Sequence, residues 1–157
     1  MCYYKFIKII INYYSKMNKN NILTELLDKQ LKDVVLNKKL IYKDFVRILK
    51  NINSSLFCKD FCCIWTGYVV IDEKDKSSYI NFYFKQKKVS LHRLLYINFV
   101  EPLQDNEYIK FSCRNRGKCC NINHMIKMSK EEKDKEKEDK MLKEKEELKR
   151  SFTIEFD

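Results

Sequence analysis

Apolar side chains first recur at helical spacing between residues 20 and 36. Ile22, Leu23, Leu26, Leu27, Leu31, Val34 and Val35 share one side of a 3.6-residue period, and Lys29, Lys32 and Asp33 take the other. Residues 40–53 repeat the pattern with Ile41, Phe45, Ile48, Leu49 and Ile52, and a helical hairpin is expected over 20–55. The period then falls to two. Residues 64–71 read as a strand, D-E-K-D-K-S-S as a polar turn, and S-Y-I-N-F-Y-F as a returning strand. In the latter, Ile80, Phe82 and Phe84 alternate with Tyr79, Asn81 and Tyr83. Lys85, Lys87 and Lys88 crowd the end of this hairpin, and Val89 opens a third short strand. Ser90 is placed to cap a helix running to Val100, with Leu91, Leu94, Leu95 and Phe99 on one face and Pro102 beyond its end. Residues 108–112 predict a short strand, and 121–128 a short helix. From Ser129 onward the apolar stripe disappears. That tail predicts a solvated helix with i,i+4 pairs Glu131–Lys135, Glu136–Lys140, Asp139–Lys143 and Glu146–Arg150. Each such pair contributes ~0.2–0.5 kcal/mol. The class is α+β.

Cysteine placement adds chemistry to this outline. The stretch C-R-N-R-G-K-C-C-N-I-N-H, residues 113–124, holds three of the seven cysteines and one of the two histidines. Thiolate and imidazole are the ligands zinc prefers, and four of them close a tetrahedral structural site. Cys113, Cys119 and His124 are local to one another, with Gly117 free to turn between the cysteines. The fourth ligand has to come from elsewhere, and the Cys62–Cys63 pair in C-C-I-W-T-G is the donor. An odd cysteine count without a convincing signal peptide points to a metal site in a reducing, intracellular compartment rather than a disulfide framework.

Charge narrows the partner. The chain of 157 residues carries a formal net charge of +10. Residues 129–157 hold nine Lys/Arg against eleven Asp/Glu, so residues 1–128 carry +12. A basic body attracts a polyanion, most commonly nucleic acid. The opening M-C-Y-Y-K-F-I-K-I-I-I-N-Y-Y is apolar but interrupted by Lys5 and Lys8, and it is shorter than the ~20 apolar residues a membrane-spanning helix needs. No membrane role is expected. Met17 begins a more ordinary N-terminus, which makes residues 1–16 a candidate upstream extension.

The order C-C-I-W-T-G, β-hairpin, L-H-R-L-L, then C-x5-C-C-N-I-N-H resembles the HNH, or His-Me finger, nucleases over roughly residues 58–128. It is most similar to the branch with a zinc-binding loop found among homing endonucleases. The resemblance implies a small ββα-type domain and makes Cys113, Cys119 and His124 metal ligands, with Cys62 preferred as the fourth because the family cysteine sits three residues before the Trp. Ile122 stands where that family usually has Pro. The family's general base would fall on Phe111, whose phenyl ring accepts no proton. Its magnesium-ligating Asn would fall within 128–137, which contain no Asn. No catalytic residue is therefore carried over. His92 reads as a structural residue or a contact to the DNA backbone. Relatives of this branch occur in giant DNA viruses and protists, which makes a viral source and a viral factory, nucleus or cytoplasm the expected setting.

These readings divide the chain into an N-terminal extension (1–19), the helical hairpin (20–55), a zinc-binding HNH-like domain (56–128) and a charged tail (129–157). The expected function is nucleic-acid binding, with duplex DNA as partner, on a catalytically degenerate scaffold holding structural zinc. Lys85, Lys87, Lys88, Arg93, Arg114, Arg116 and Lys118 are the expected phosphate contacts. The 20–55 helices and the tail are candidate handles for a protein partner. Two other functions fit the same residues: a metal-dependent endonuclease with His92 as a relocated base, and a zinc-stabilised protein-interaction module.

Overall fold

The computed structural model describes residues 18–73 and 77–153. The expected extension therefore lies outside the described residues up to position 17, as do part of the polar turn and the last four residues. Helix α1 covers residues 18–29. It is followed by α2 (Tyr42–Leu49), α3 (Leu91–Phe99) and α4 (Lys130–Thr153). Six short strands form three antiparallel pairs: β1 (Val70–Ile71) with β2 (Ser78–Tyr79), β3 (Asn81–Phe84) with β4 (Lys87–Ser90), and β5 (Tyr108–Phe111) with β6 (Met125–Met128). The fold mixes helices with small antiparallel sheets, as the periodicity implies.

Several element ends differ from the sequence pattern, each for a tertiary reason. The first helix stops at residue 29 rather than 36, where the Leu31 amide bonds the Asn98 carbonyl at 2.8 Å and the Gln30 side chain reaches Leu40 O and Asn98 Oδ1. Leu27 and Val35, expected on the apolar face, are exposed. The second helix ends at Leu49 because Asn51 O accepts from Thr66 N (2.7 Å) and Ile52 bridges Trp65. The expected hairpin of 64–71 with 78–84 is divided. Only Ser78 and Tyr79 pair with β1, while Asn81–Phe84 turn away to pair with β4. Ile80 sits fully buried at the break, and its carbonyl accepts from Leu91 N at 3.0 Å. The β3–β4 connection is two residues, Lys85 and Gln86, both at positive φ (45° and 64°). That is the hairpin turn whose twist matches the strands, here made without the usual Gly or Asn.

One cluster of buried side chains draws on most elements. Leu26 of α1, Phe45 and Ile48 of α2, Phe82 and Phe84 of β3 and Leu91, Leu94 and Leu95 of α3 meet Cys63, Trp65 and Cys120. Full burial of such apolar side chains contributes roughly 1.5–3 kcal/mol each. Phe99 sits between Phe45 (6.0 Å, tilted) and Phe57 (5.3 Å, edge-on). By contrast, α4 is solvated. It starts with a capping box, Ser129 Oγ accepting from Glu132 N and Glu132 Oε2 from Ser129 N. Its ion pairs differ from those expected: Lys140 pairs with Glu144, and Glu136 turns to Lys110 on β5.

Asn98 is the polar keystone of this core. It is fully buried on α3. Its Oδ1 accepts from Leu40 N (2.9 Å) and Gln30 Nε2 (2.8 Å), and its Nδ2 donates to Lys38 O (2.9 Å) and Leu94 O (2.7 Å). Replacing it by Ala strands buried main-chain groups of the 38–40 segment, at about 1–3 kcal/mol for each. We expect Asn98→Ala to lower unfolding free energy by roughly 3 kcal/mol, read from the urea midpoint at unchanged slope. A loss below about 1 kcal/mol would show that this bonding is dispensable.

Candidate metal centre and the basic loop

The strand pair β5–β6 builds half of the centre. Phe111 pairs with Met125 at the end of the ladder, and Ser112 N continues it by donating to His124 O at 3.0 Å. Cys113, two residues beyond β5, and His124, immediately before β6, are therefore brought side by side at the neck of the loop. A second antiparallel contact supplies the other half. Cys120 N donates to Cys63 O (2.7 Å), Trp65 N to Lys118 O (2.8 Å), and Ile64 bridges Cys119. Successive side chains on extended backbone point to opposite sides. Cys63 and Cys120 go into the apolar core, and Cys62 and Cys119 go to the centre.

The ligand atoms of Cys62, Cys113, Cys119 and His124 all lie within 4.8 Å of one another. His124 Nδ1 is 3.4 Å from Cys119 Sγ and 3.6 Å from Cys62 Sγ. Burial pushes the Cys119 thiol up to about 12. The Asn115 side chain beside Cys62 outweighs burial there and holds that thiol below its ordinary value. A cation at the centre stabilises every thiolate and removes the conflict. Cys63 is pushed up to about 11, and Cys120 further, both by burial. Cys58 is half-buried and stands outside the group.

Residues unremarked in the sequence hold the ligands in place. Asn121 is fully buried; its Nδ2 donates to the carbonyls of Cys58 and Phe61, and its Oδ1 accepts from Asn123 N. Asn123 Nδ2 reaches Phe57 O at 3.1 Å. Together they fasten the chain just before Cys62 to the chain just before His124. The expected helix over 121–128 is accordingly only a 3-10 turn, Ile122–His124, capped by Asn121 and followed directly by β6. The one signal in the sequence was polar residues at 121 and 123 amid cysteines and apolar side chains.

Between the ligands, the loop carries Arg114, Arg116 and Lys118, all exposed. Gly117 has φ +72°, and a Cβ there would sit 1.9 Å from Ser78 O, so no other residue fits this approach. Ser78 Oγ also donates to Arg116 O at 3.0 Å, which seats the loop on β2. The remaining basic candidates divide. Lys87 and Lys88 are exposed on β4. Lys85 bonds Leu36 O and lies over the Phe84 ring. Arg93 bonds Glu107 O (2.6 Å) and Gln104 O (2.7 Å), which makes it a brace between α3 and the 104–107 turn. His92 is buried, not a surface contact. Its ring meets Phe111 edge-on at 4.9 Å, and burial pushes it down to about 4.

No helix among the described residues is long and apolar enough to cross a membrane. Over 114 residues the chain is 55% identical to an uncharacterized protein of Acanthamoeba polyphaga mimivirus. The match covers 72% of this chain and 33% of that protein, so the chain spans about a third of the length of its curated relative. No family model matches the chain, and no solved structure matches it.

Two outcomes test this geometry. With metal bound, iodoacetamide at neutral pH should label Cys58 while Cys62, Cys63, Cys113, Cys119 and Cys120 resist. Chelation should release Cys62, Cys113 and Cys119 together, as peptide mass mapping would show, and labelling of Cys63 ahead of Cys62 would contradict the alternation. Asn121→Ala keeps all four ligands yet should weaken zinc affinity roughly 10–100-fold, the usual effect of losing a residue that orients ligands. Competition against a chromophoric chelator measures this, and an unchanged constant would mean Asn121 does not position the site.

Proposed function

We propose that this chain binds nucleic acid, with duplex DNA as partner, through a zinc-stabilised scaffold of the HNH type that lacks the catalytic base. The donor set fits zinc. Zn–S of ~2.3 Å and Zn–N of ~2.0–2.1 Å imply a tetrahedral S···N edge of about 3.6 Å, and the two S···N distances are 3.4 and 3.6 Å. Four protein ligands leave no coordination position for water, so zinc would supply folding energy rather than a nucleophile.

The observation that carries the reading is the loop itself. Arg114, Arg116 and Lys118 are exposed on a segment that runs between candidate metal ligands and is held in the middle by the Gly117–Ser78 contact. Cations held on a rigid loop bind phosphates at a smaller entropy cost than cations on mobile chain. Phosphate contacts give affinity and salt dependence rather than sequence reading. Phe111, where the resemblance places the base, offers only a ring face and edge, and its neighbour His92 is buried against it. The mimivirus relative agrees with a viral setting for such a protein.

A gel shift on duplex DNA at rising salt tests the reading. Arg114→Ala/Arg116→Ala should weaken binding at every salt concentration and reduce the log–log salt slope by about 1.8, at ~0.9 per lost phosphate contact. Unchanged affinity and slope would remove the assigned surface. Supercoiled plasmid with magnesium or manganese should remain intact. Nicking that His92→Ala abolishes would instead make the protein an enzyme.

A further inference from the structure

A cavity of about 580 Å³ opens between β2, the start of α3, β5 and the first turns of α4. Four cations line it, Arg93, Lys110, Arg116 and Lys133, against a single carboxylate, Glu136. Arg93 bonds two main-chain carbonyls. Arg116 is exposed and has no ion-pair partner among the described residues. The other two tie α4 to β5. Lys110 of β5 pairs with Glu136, and Lys133 lies over the ring of Tyr108 at 3.6 Å.

A helix that belongs to a core buries an apolar stripe against it. This one does not. Of residues 130–150, Lys133 alone is not exposed, and Met141 and Leu142 are each 58% exposed. The first turns of α4 are held to β5 by charge, and both partners of the ion pair keep much of their water: the Lys110 side chain is 43% exposed and that of Glu136 50%. Exposed pairs of this kind are weak and are screened by salt. A phosphodiester carries the same unit charge as a carboxylate, and a duplex presents one charge per ~1.7 Å of its axis. Glu136 therefore stands among the cations where a phosphate would stand, and it is held loosely enough to be replaced by one.

We propose that α4 is an autoinhibitory strap: Glu136 holds Lys110 in place of a DNA phosphate, and the duplex takes Lys110 from it when it binds beside Arg116. This rests on the duplex reading above and deepens it by naming its regulation. The exchange breaks one ion pair and makes another. Lys110 becomes a phosphate contact that is masked in the free protein, and the strap lowers affinity because Glu136 has to be displaced before that contact is gained.

Gel shifts of the zinc-loaded full chain on one duplex at fixed salt test it. Glu136→Gln keeps the side-chain shape and removes the charge. It should tighten binding about two- to fivefold, the strength of an exposed ion pair. Removing any acidic charge helps a protein onto DNA, so Glu138→Gln serves as the control. It takes the same charge from the opposite side of the helix, two residues on, and should tighten binding less. The excess of Glu136→Gln over Glu138→Gln should vanish in Lys110→Ala protein, where the two Gln variants should bind alike. All three positions are exposed, so the substitutions spare the core. If the wild type shifts the duplex and Glu136→Gln binds no better than Glu138→Gln, the strap is overturned and the duplex reading stands. An excess that persists in Lys110→Ala protein also overturns the strap, since the carboxylate then acts on something other than Lys110. If neither the wild type nor Glu136→Gln shifts the duplex, both readings fall.

Discussion

One antiparallel crossing places the C-terminal half of this molecule: residues 62–65 running against 118–120. Each of the three sheets among the described residues has two strands, and an isolated two-stranded sheet is marginal in water. The crossing supplies what they lack, a link between chain segments more than fifty residues apart that also buries Cys63, Trp65 and Cys120 in the core. Metal binding at its outer side would join the same segments again through sulfur and nitrogen. Structural zinc in small peptides contributes apparent free energies of about 10–16 kcal/mol at neutral pH, far above any hydrogen bond here. The crossing therefore sets the geometry, and the ion would set the depth of the well.

How much of the fold the sequence reveals follows from which forces are local. Helical periodicity located α1, α2 and α3, because the face each helix buries is written into its own residues. It misjudged where α1 and α2 stop. Asn98, sixty-odd residues away, takes the backbone after α1, and Thr66 takes the carbonyl of Asn51. The alternation in 78–84 was equally real, since Phe82 and Phe84 are buried and Tyr79, Asn81 and Tyr83 are not. It could not show that one face would serve two different partners, β1 before Ile80 and β4 after it. The tight turn at Lys85-Gln86 lacks the residue types that normally announce positive φ, so composition gave no warning of it.

The candidate centre was more legible than the fold because ligand chemistry admits so few residue types. The resemblance preferred Cys62 over Cys63, and Cys62 is in the group; the physical reason, an extended segment that sends Cys63 the other way, is a tertiary fact imposed by pairing with 118–120. Asn121 escaped notice because a buried amide looks like any polar loop residue until its carbonyl partners are in view. The basic candidates were least legible. Charge identifies a lysine or arginine without saying whether it is already engaged. Arg93 binds main-chain carbonyls and Lys85 holds Leu36, so neither is a free surface cation.

The candidate metal centre and the basic loop are one stretch of chain, and that gives the loop its logic. Gly117 rests on Ser78 so closely that a single methyl group would collide with the strand, and Ser78 in turn holds the Arg116 carbonyl. Arg116 therefore stands on a backbone that runs between the candidate ligands Cys113 and Cys119. Without an ion at the candidate centre, the Gly117–Ser78 approach and the Ser78–Arg116 bond would be left to hold the loop. A centre closed by four protein ligands would leave its ion no open position for chemistry, yet it would still fix where the neighbouring cations stand.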